Sequence, residues 1–176
     1  MQIAVSEHTL SFPEYEFLGN NLKPTDNVWE WGSGNTTTVL SALCRKVTSV
    51  EHDPVFAARA CLGLMRGVSV LYVPPDLPMT DPHADGDYDT FRSYVDTYTG
   101  QSIDAVLIDG RARVACARRI AETAPFGPHP GLRVFLHDFD RPEYAGIIQT
   151  EVDGKVTGWF REVSRVGRLM LMEPAL

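Results

Sequence analysis

Five short apolar runs, each stopped by polar residues and each followed by a stretch of helical character, constrain this chain more than any other feature. They are Asn27 to Trp31 (NVWEW), Lys46 to Val50 (KVTSV), Val68 to Val73 (VSVLYV), Ile103 to Ile108 (IDAVLI) and Leu132 to Leu136 (LRVFL). Runs this short and this rich in β-branched residues read as strands buried on both faces. Between them, Asn35 to Cys44 places Val39, Leu40 and Leu43 at helical spacing, and Asp53-Pro54 opens a helix that Arg66-Gly67 closes. Tyr88 to Tyr98, Val114 to Thr123 and Pro142 to Thr150 read as further helices. Strands that alternate with helices predict an α/β fold with a doubly wound, mostly parallel sheet. Two last strand-like runs, Thr157 to Val163 and Arg168 to Met172, are joined by SRVG and predict a C-terminal antiparallel hairpin, which makes the sheet seven-stranded. Ser11 as N-cap, with Pro13 in the first turn and Glu14 three residues on, starts a helix over Ser11 to Asn20. Residues 1–26 then form a helical lead-in to one domain spanning 1–176.

Parallel sheets of this kind bind ligands at the carboxyl ends of their strands, and the polar residues fall at those ends. The first run delivers Gly32-Ser33-Gly34, the second Glu51-His52-Asp53, the fourth Asp109-Gly110-Arg111 and the fifth His137-Asp138, while Pro74-Pro75-Asp76 follows the third. Glycines after the first run let backbone turn tightly and approach a ligand where a Cβ would clash. Glu51 at the end of the second run suits a pair of ribose hydroxyls. Glu30 stands between Trp29 and Trp31 in a run expected to be central. Burial of its carboxylate costs several kcal/mol unless a cation or donors meet it.

Plainer readings stand beside these. Asp53 reads as the N-cap of the helix at Pro54, Arg118 and Arg119 as a solvated helix face, and His8, His83 and His129 as solvated loop residues. Arg111 and Arg113 follow Asp109 at the expected pocket mouth, where they either hold an anionic substrate group or lie on a solvated first helical turn. The long acidic stretch Pro74 to Asp87 is either a lid over the substrate or disordered.

Composition narrows the classes. A hydrophobic content of 44% with 22% charged residues belongs to a globular protein, and no run reaches the ~18 apolar residues of a membrane span. The first residues, MQIAVSEHTL, lack a basic head and apolar core, so a cytoplasmic location is expected. A net charge of −7 gains little from phosphate attraction, which argues against a nucleic-acid partner. Cys44, Cys61 and Cys116 lack metal-site spacing and are expected as buried, reduced thiols.

The segments VWEWGSGNTT, SVEHDP, DAVLIDGRAR and VFLHDFD, in that order and spacing, resemble the class I S-adenosylmethionine-dependent methyltransferases over roughly residues 11–172. The likeness is greatest to small members with a W-G-S-G-x-T turn and an I-D-G-R strand end. The resemblance implies a Rossmann-like sheet and S-adenosyl-L-methionine as cofactor. It places Glu30, Gly32, Ser33, Gly34, Asn35 and Thr36 at the methionine end, Glu51 at the ribose and Asp76 near the adenine, while His52 either sits by the adenine as well or is simply exposed. Asp109 would face both the methyl group and the acceptor, with Arg111 and Arg113 toward the substrate. Where a dinucleotide-binding turn wants its third glycine, this chain has Thr37, which separates it from nicotinamide enzymes.

The same resemblance frames the chemistry as in-line methyl transfer, for which the protein supplies alignment and, for a hydroxyl acceptor, a base. Asp109, His137 and Asp138 are the candidate acid–base set. A divalent metal on Asp109 and Asp138 is one reading, a metal-free base a second, and capping of the following helix by His137 and Asp138 a third. The strand-four motif of adenine amino methylation is absent, as is the Pro-Cys of cytosine methylation. Lys23, Asp109 and Glu162 match three members of the set used on RNA ribose, but strand five has His137 for its lysine. A small-molecule or sugar/glycan hydroxyl is therefore the expected acceptor, with O-methyltransferase activity and a homo-oligomer open. The alternatives are a non-catalytic S-adenosylmethionine-binding scaffold and an aminopropyltransferase on the same fold.

Overall fold

The computed structural model describes residues 9–62, 66–79, 81, 84–123, 131–153 and 155–175. The first three strands and three helices follow in order as α1 (Phe12–Asn21), β1 (Asn27–Trp31), α2 (Asn35–Leu43), β2 (Lys46–Glu51), α3 (Pro54–Leu62) and β3 (Val68–Tyr72). Then come α4 (Arg92–Asp96), β4 (Ala105–Ile108), α5 (Arg113–Glu122), β5 (Arg133–Leu136) and a 3-10 helix (Pro142–Ile147). The chain ends in β6 (Thr150–Val152), β7 (Lys155–Thr157), β8 (Phe160–Val166) and β9 (Leu169–Pro174).

Seven strands form one sheet in the order β3-β2-β1-β4-β5-β9-β8. β1 through β5 run parallel, whereas β9 is antiparallel to both β5 and β8. The doubly wound sheet and its C-terminal antiparallel pair are thus present as the sequence predicts. β6 and β7 pair separately as a small hairpin that the sequence reading did not contain. Its signal was there: two triplets with two β-branched residues each, Thr150-Glu151-Val152 and Lys155-Val156-Thr157, flank Asp153-Gly154, a turn dipeptide. Thr150, expected to end a helix, and Thr157, expected to begin a strand, belong to this hairpin instead. The expected helix over Tyr88 to Tyr98 contracts to α4, because the Asp87 carboxylate accepts the Thr90 amide at 2.8 Å and holds a turn there.

Side-chain alternation assigns the two faces. Trp29, Trp31, Val106, Ile108, Val134 and Leu136 share one core with Tyr94 and Tyr98 from around α4 and with Cys116 and Ile120 of α5. Val28, Ala105, Leu107 and Phe135 share the other with Leu18 of α1 and Leu40 of α2. In a strand, residues two apart point the same way. Glu30 therefore follows Val28, Asp109 follows Leu107, and His137 follows Phe135 to the face beneath α1 and α2. Register sets Glu30 beside Leu107 and Leu107 beside Phe135, so Asp109 and His137 lie level with each other, two residues beyond Glu30 along the strands.

The cysteines are free, but only Cys116 is buried; Cys44 is half-buried and Cys61 exposed, a departure from the expected three buried thiols. Cys61 lies on the outer face of α3, whose first-turn neighbours Val55 and Phe56 are also exposed. His8, His83, His129, the middle of the Pro74 to Asp87 loop and the last turn expected before Arg66 lie outside the described residues.

Candidate functional site

The turn after β1 is built around two buried carboxyls. Glu30 is fully buried, and its Oε2 accepts the Thr37 hydroxyl at 2.6 Å, while that hydroxyl oxygen accepts the Gly34 amide at 2.9 Å. Its Oε1 has no hydrogen-bond partner among the described residues. Burial pushes the Glu30 carboxyl up to about 8; Ser49 and Thr37 pull against this, and Asp109 and Glu51 add to it. Glu51, at the end of β2, receives the Ser33 amide on Oε2 at 2.7 Å and the His52 and Asp53 amides on Oε1 at 2.8 Å. It organises the glycine turn and the entrance to α3 together. Ser33 is closed down by its hydroxyl bond to Ser49 at 2.8 Å.

The glycines differ in their reasons. Gly32 has φ +98°, and a Cβ there would lie 2.7 Å from the Gly110 Cα. A Cβ on Gly110 would lie 2.1 Å from the Tyr94 hydroxyl oxygen and 2.9 Å from the Gly32 nitrogen. The turns after β1 and β4 thus meet backbone to backbone, which explains both glycines through packing. Gly34 has an extended φ of −175°, and a Cβ there would meet nothing within 4 Å. Next to it Asn35 is exposed and Thr36 buried, at the first turn of α2.

At the end of β4 the Asp109 Oδ1 lies 2.9 Å from His137 Nδ1. Asp109 retains 14% side-chain exposure, whereas His137 has 1%. With a carboxylate as its acceptor, Nδ1 is assigned as the protonated ring nitrogen. On the ring's other side Nε2 faces Glu14 Oε1 at 3.8 Å and has no hydrogen-bond partner among the described residues. Glu14 is buried, and it also accepts the Ser11 amide and hydroxyl at 2.6 and 2.8 Å and the Arg168 amide at 2.7 Å. The sequence showed Glu14 only as a helix-start residue. Here it also locks α1 onto the β8–β9 turn and backs His137.

Arg113 and Asp138 depart from their expected roles. Arg113 does not sit at the mouth: it is 7% exposed and donates to the Gly110 carbonyl, the His137 carbonyl at 2.6 Å and Asp138 Oδ2 at 2.9 Å. Its own amide donates to Asp85 Oδ2, and its guanidinium stands over the Tyr144 ring. Its donors are spent inside the protein, so it joins β4, β5 and the loop rather than holding a substrate anion. Asp138 adopts φ +58° and accepts from Arg113, Arg141 and Arg168. Its burial works against the charge, but Arg113, His137, Arg168 and Arg141 together hold its carboxyl below the usual range. A carboxylate so committed is neither a base nor a metal ligand. Three guanidinium groups repel a divalent cation, and among the described residues no group of His, Cys, Asp or Glu is arranged to hold one. The metal reading on Asp109 and Asp138 does not fit these residues.

Other candidates take definite places. Both Asp76 oxygens are engaged by Ser93, its amide at 2.7 Å and its hydroxyl at 2.6 Å, so Asp76 pins the loop after β3 to α4. The His52 ring stands edge-on to Phe91 and Tyr94. Asp53 Oδ1 accepts the Val55 and Phe56 amides and is the N-cap of α3. Arg111 remains half-exposed beside Asp109 and donates to the Ala84 carbonyl at 2.8 Å. A shallow groove lined by Arg45, Lys46, Ser69 and Gln101 lies at the amino ends of the strands, on the opposite edge from these acids.

No protein-family model matches the chain, and no curated protein matches its sequence. Solved structures do. A methyltransferase-like protein from Silicibacter pomeroyi DSS-3 is 26% identical with a TM-score of 0.64, covering 97% of this chain and 91% of that one. A precorrin 8w decarboxylase from Methanobacterium thermoautotrophicum aligns over 100% of this chain and 96% of its own at 13% identity and TM-score 0.55. A Streptococcus mutans protein described as a methyltransferase, solved with SAH, aligns over 95% of this chain and all of its own at 12% identity and TM-score 0.52. These likenesses join the strand order and the glycine turn to one conclusion: the chain has the class I S-adenosylmethionine-dependent methyltransferase fold.

Proposed function

We propose that the chain is an S-adenosylmethionine-dependent methyltransferase acting on a small-molecule or sugar hydroxyl, with Asp109 as the base. The observation that carries the cofactor reading is Glu30, a fully buried carboxyl with one oxygen unpartnered among the described residues. Its charged neighbours, Asp109 and Glu51, are both acids, and the Arg113 guanidinium 3.5 Å from Asp109 is shared with Asp138 and Asp85. Such a cluster has an electrostatic deficit that a cationic ligand relieves. The residues fit S-adenosyl-L-methionine: Glu30 and Asp109 suit its ammonium, the open space beside Gly34 admits its chain, and Glu51 keeps acceptor capacity on Oε2 for the ribose. When bound, the cofactor supplies an electrophilic methyl group on a sulfonium sulfur.

The protein's own residues then divide the work. Of the three candidate acid–base residues only Asp109 has appreciable exposure; His137 is sealed and Asp138 is held by arginines. Asp109 orients an acceptor hydroxyl and takes its proton as the oxygen–methyl bond forms. The His137 Nδ1–H fixes the carboxylate's orientation, and Glu14 backs the ring. Arg111, half-exposed beside Asp109, is the remaining substrate contact. The net charge of −7 and the lack of a nucleobase-methylating motif support a small acceptor over nucleic acid.

Transfer of labelled methyl from S-adenosyl-L-methionine to a panel of phenols, catechols and sugars tests the reading. Asp109→Asn is expected to lower transfer at least ~100-fold beyond its effect on binding, the usual weight of a general base, while S-adenosylhomocysteine affinity falls ~10-fold through the lost ammonium contact. A loss of transfer no greater than the loss of affinity would leave Asp109 a cofactor residue alone and remove it as the base.

A further inference from the structure

Asp138 is the mirror of Glu30: a buried carboxylate crowded by cations instead of acids. Its Oδ2 accepts from Arg113 at 2.9 Å and from Arg141 at 3.0 Å, and its Oδ1 accepts from Arg168 at 2.5 Å. The three arginines come from α5, from the N-cap of the 3-10 helix and from the β8–β9 turn. Two guanidinium groups on one oxygen repel each other, and a single one would tie two segments together.

The arginines differ in what else they meet. Arg113 is buried and has Asp85 and Asp109 at 3.7 and 3.5 Å as further acids. Arg141 has Asp138 as its one ion pair among the described residues, although Asp140 and Glu143 stand beside it in sequence. Side-chain exposure is 38% for Arg141 and 40% for Arg168, against 8% for Asp138. A ligand arriving from solvent therefore meets two guanidinium groups with the carboxylate behind them.

This pair stands next to the base. Asp138 Oδ1 lies 3.6 Å from His137 Nδ1, which is 2.9 Å from Asp109 Oδ1. In the sheet, β1 and β2 with their glycine turn and Glu51 lie on one side of β4, and β5 and β9 lie on the other. The arginines thus flank Asp109 on the side away from the residues assigned to the cofactor. Guanidinium groups bind oxyanions through paired donors, and one oxyanion there relieves the crowding of cations.

We propose that Arg141 and Arg168 form an oxyanion subsite for the acceptor, so that the acceptor carries a carboxylate or phosphate besides the hydroxyl that Asp109 deprotonates. The proposal rests on the methyltransferase reading above and narrows its substrate class from hydroxyl compounds in general to anionic ones.

The Nε–H resonances of the arginines report the subsite directly. Inorganic phosphate and benzoate, titrated separately into the wild-type chain, tell a tetrahedral from a planar oxyanion. Saturable shifts are expected at Arg141 and Arg168 with one or both, while Arg92 and Arg118, exposed and paired with Asp89 and Glu122, stay still. Arg141→Gln is expected to weaken that anion roughly ten-fold, the scale of one hydrogen bond to a charged group. No shift, or a shift shared equally with Arg92 and Arg118, overturns the proposal. In labelled-methyl transfer, 3,4-dihydroxybenzoate is expected to exceed catechol, or glucose 6-phosphate to exceed glucose, by about ten-fold or more in kcat/KM. Neutral acceptors that serve as well as their anionic counterparts reduce the two arginines to structural ties and overturn it as well. S-adenosylhomocysteine titrated into the same sample judges the cofactor reading separately: without binding that reading falls and the acceptor role with it, whereas the arginine shifts still decide whether the anion site exists.

Discussion

At the scale of single residues, the buried carboxyls do different work according to what meets them. Asp138 is surrounded by arginines and stays charged; Glu30 has only the Thr37 and Ser49 hydroxyls to set against the acids around it, and burial raises it to about 8. This has a measurable consequence for stability. Unfolded, Glu30 releases its proton near 4.5; folded, it holds it to about 8. Between those values the folded chain binds the extra proton, so stability falls as pH rises, by up to ~1.4 kcal/mol per unit. The contribution is complete below pH 4.5 and lost as pH passes about 8. Glu30→Gln removes the titration, so in urea unfolding at pH 5 to 8 the variant is expected to gain on the wild type as pH rises. Parallel curves would place an undetected cation beside Glu30. Glu51→Ala is expected to weaken S-adenosylhomocysteine binding by ~1–3 kcal/mol and also to lower the melting temperature, because three backbone amides lose their acceptor. A loss of affinity at constant melting temperature would mean that the amides find other partners.

Among the elements, the β1 and β4 turns interlock most tightly. Gly110→Ala is expected to destabilise the chain by ~1–3 kcal/mol, since its methyl would collide with the Tyr94 hydroxyl and the Gly32 backbone; wild-type stability in that variant would refute the close approach. Much of this was legible in the sequence. Alternating strands and helices dictated the sheet, and strand periodicity sends Glu30, Asp109 and His137 to one face. The misreadings have a common physical origin. Arg113 looks like a solvated helix-start residue locally, and only partners from the loop, β4 and β5 show it to be a buried tie. Glu14 was missed because the lead-in helix crosses to the far strand ends, and no local pattern encodes that crossing. The β6–β7 hairpin was missed because its two short strands merged into neighbouring runs. Asp85 and Asp138 would be left facing no Arg113 in Arg113→Met, so a loss of about 3 kcal/mol in chemical denaturation is expected, and Arg113→Lys should restore little of it. A neutral Arg113→Met would mean that Arg141 and Arg168 suffice.

Over the whole molecule, the sheet separates two edges of opposite character. Its carboxyl edge gathers Glu30, Glu51, Asp109 and His137, while the amino edge carries the shallow groove with Arg45 and Lys46. The central claim is that the carboxyl edge binds the cofactor, and amide chemical shifts read it residue by residue. On titration of the wild-type chain with S-adenosylhomocysteine, shifts are expected to cluster at residues 32–37, 51–53 and 109–111. Arg45, Lys46, Ser69 and Gln101 should stay still. An absence of shifts at saturating ligand, or shifts confined to the amino-edge groove, would contradict it.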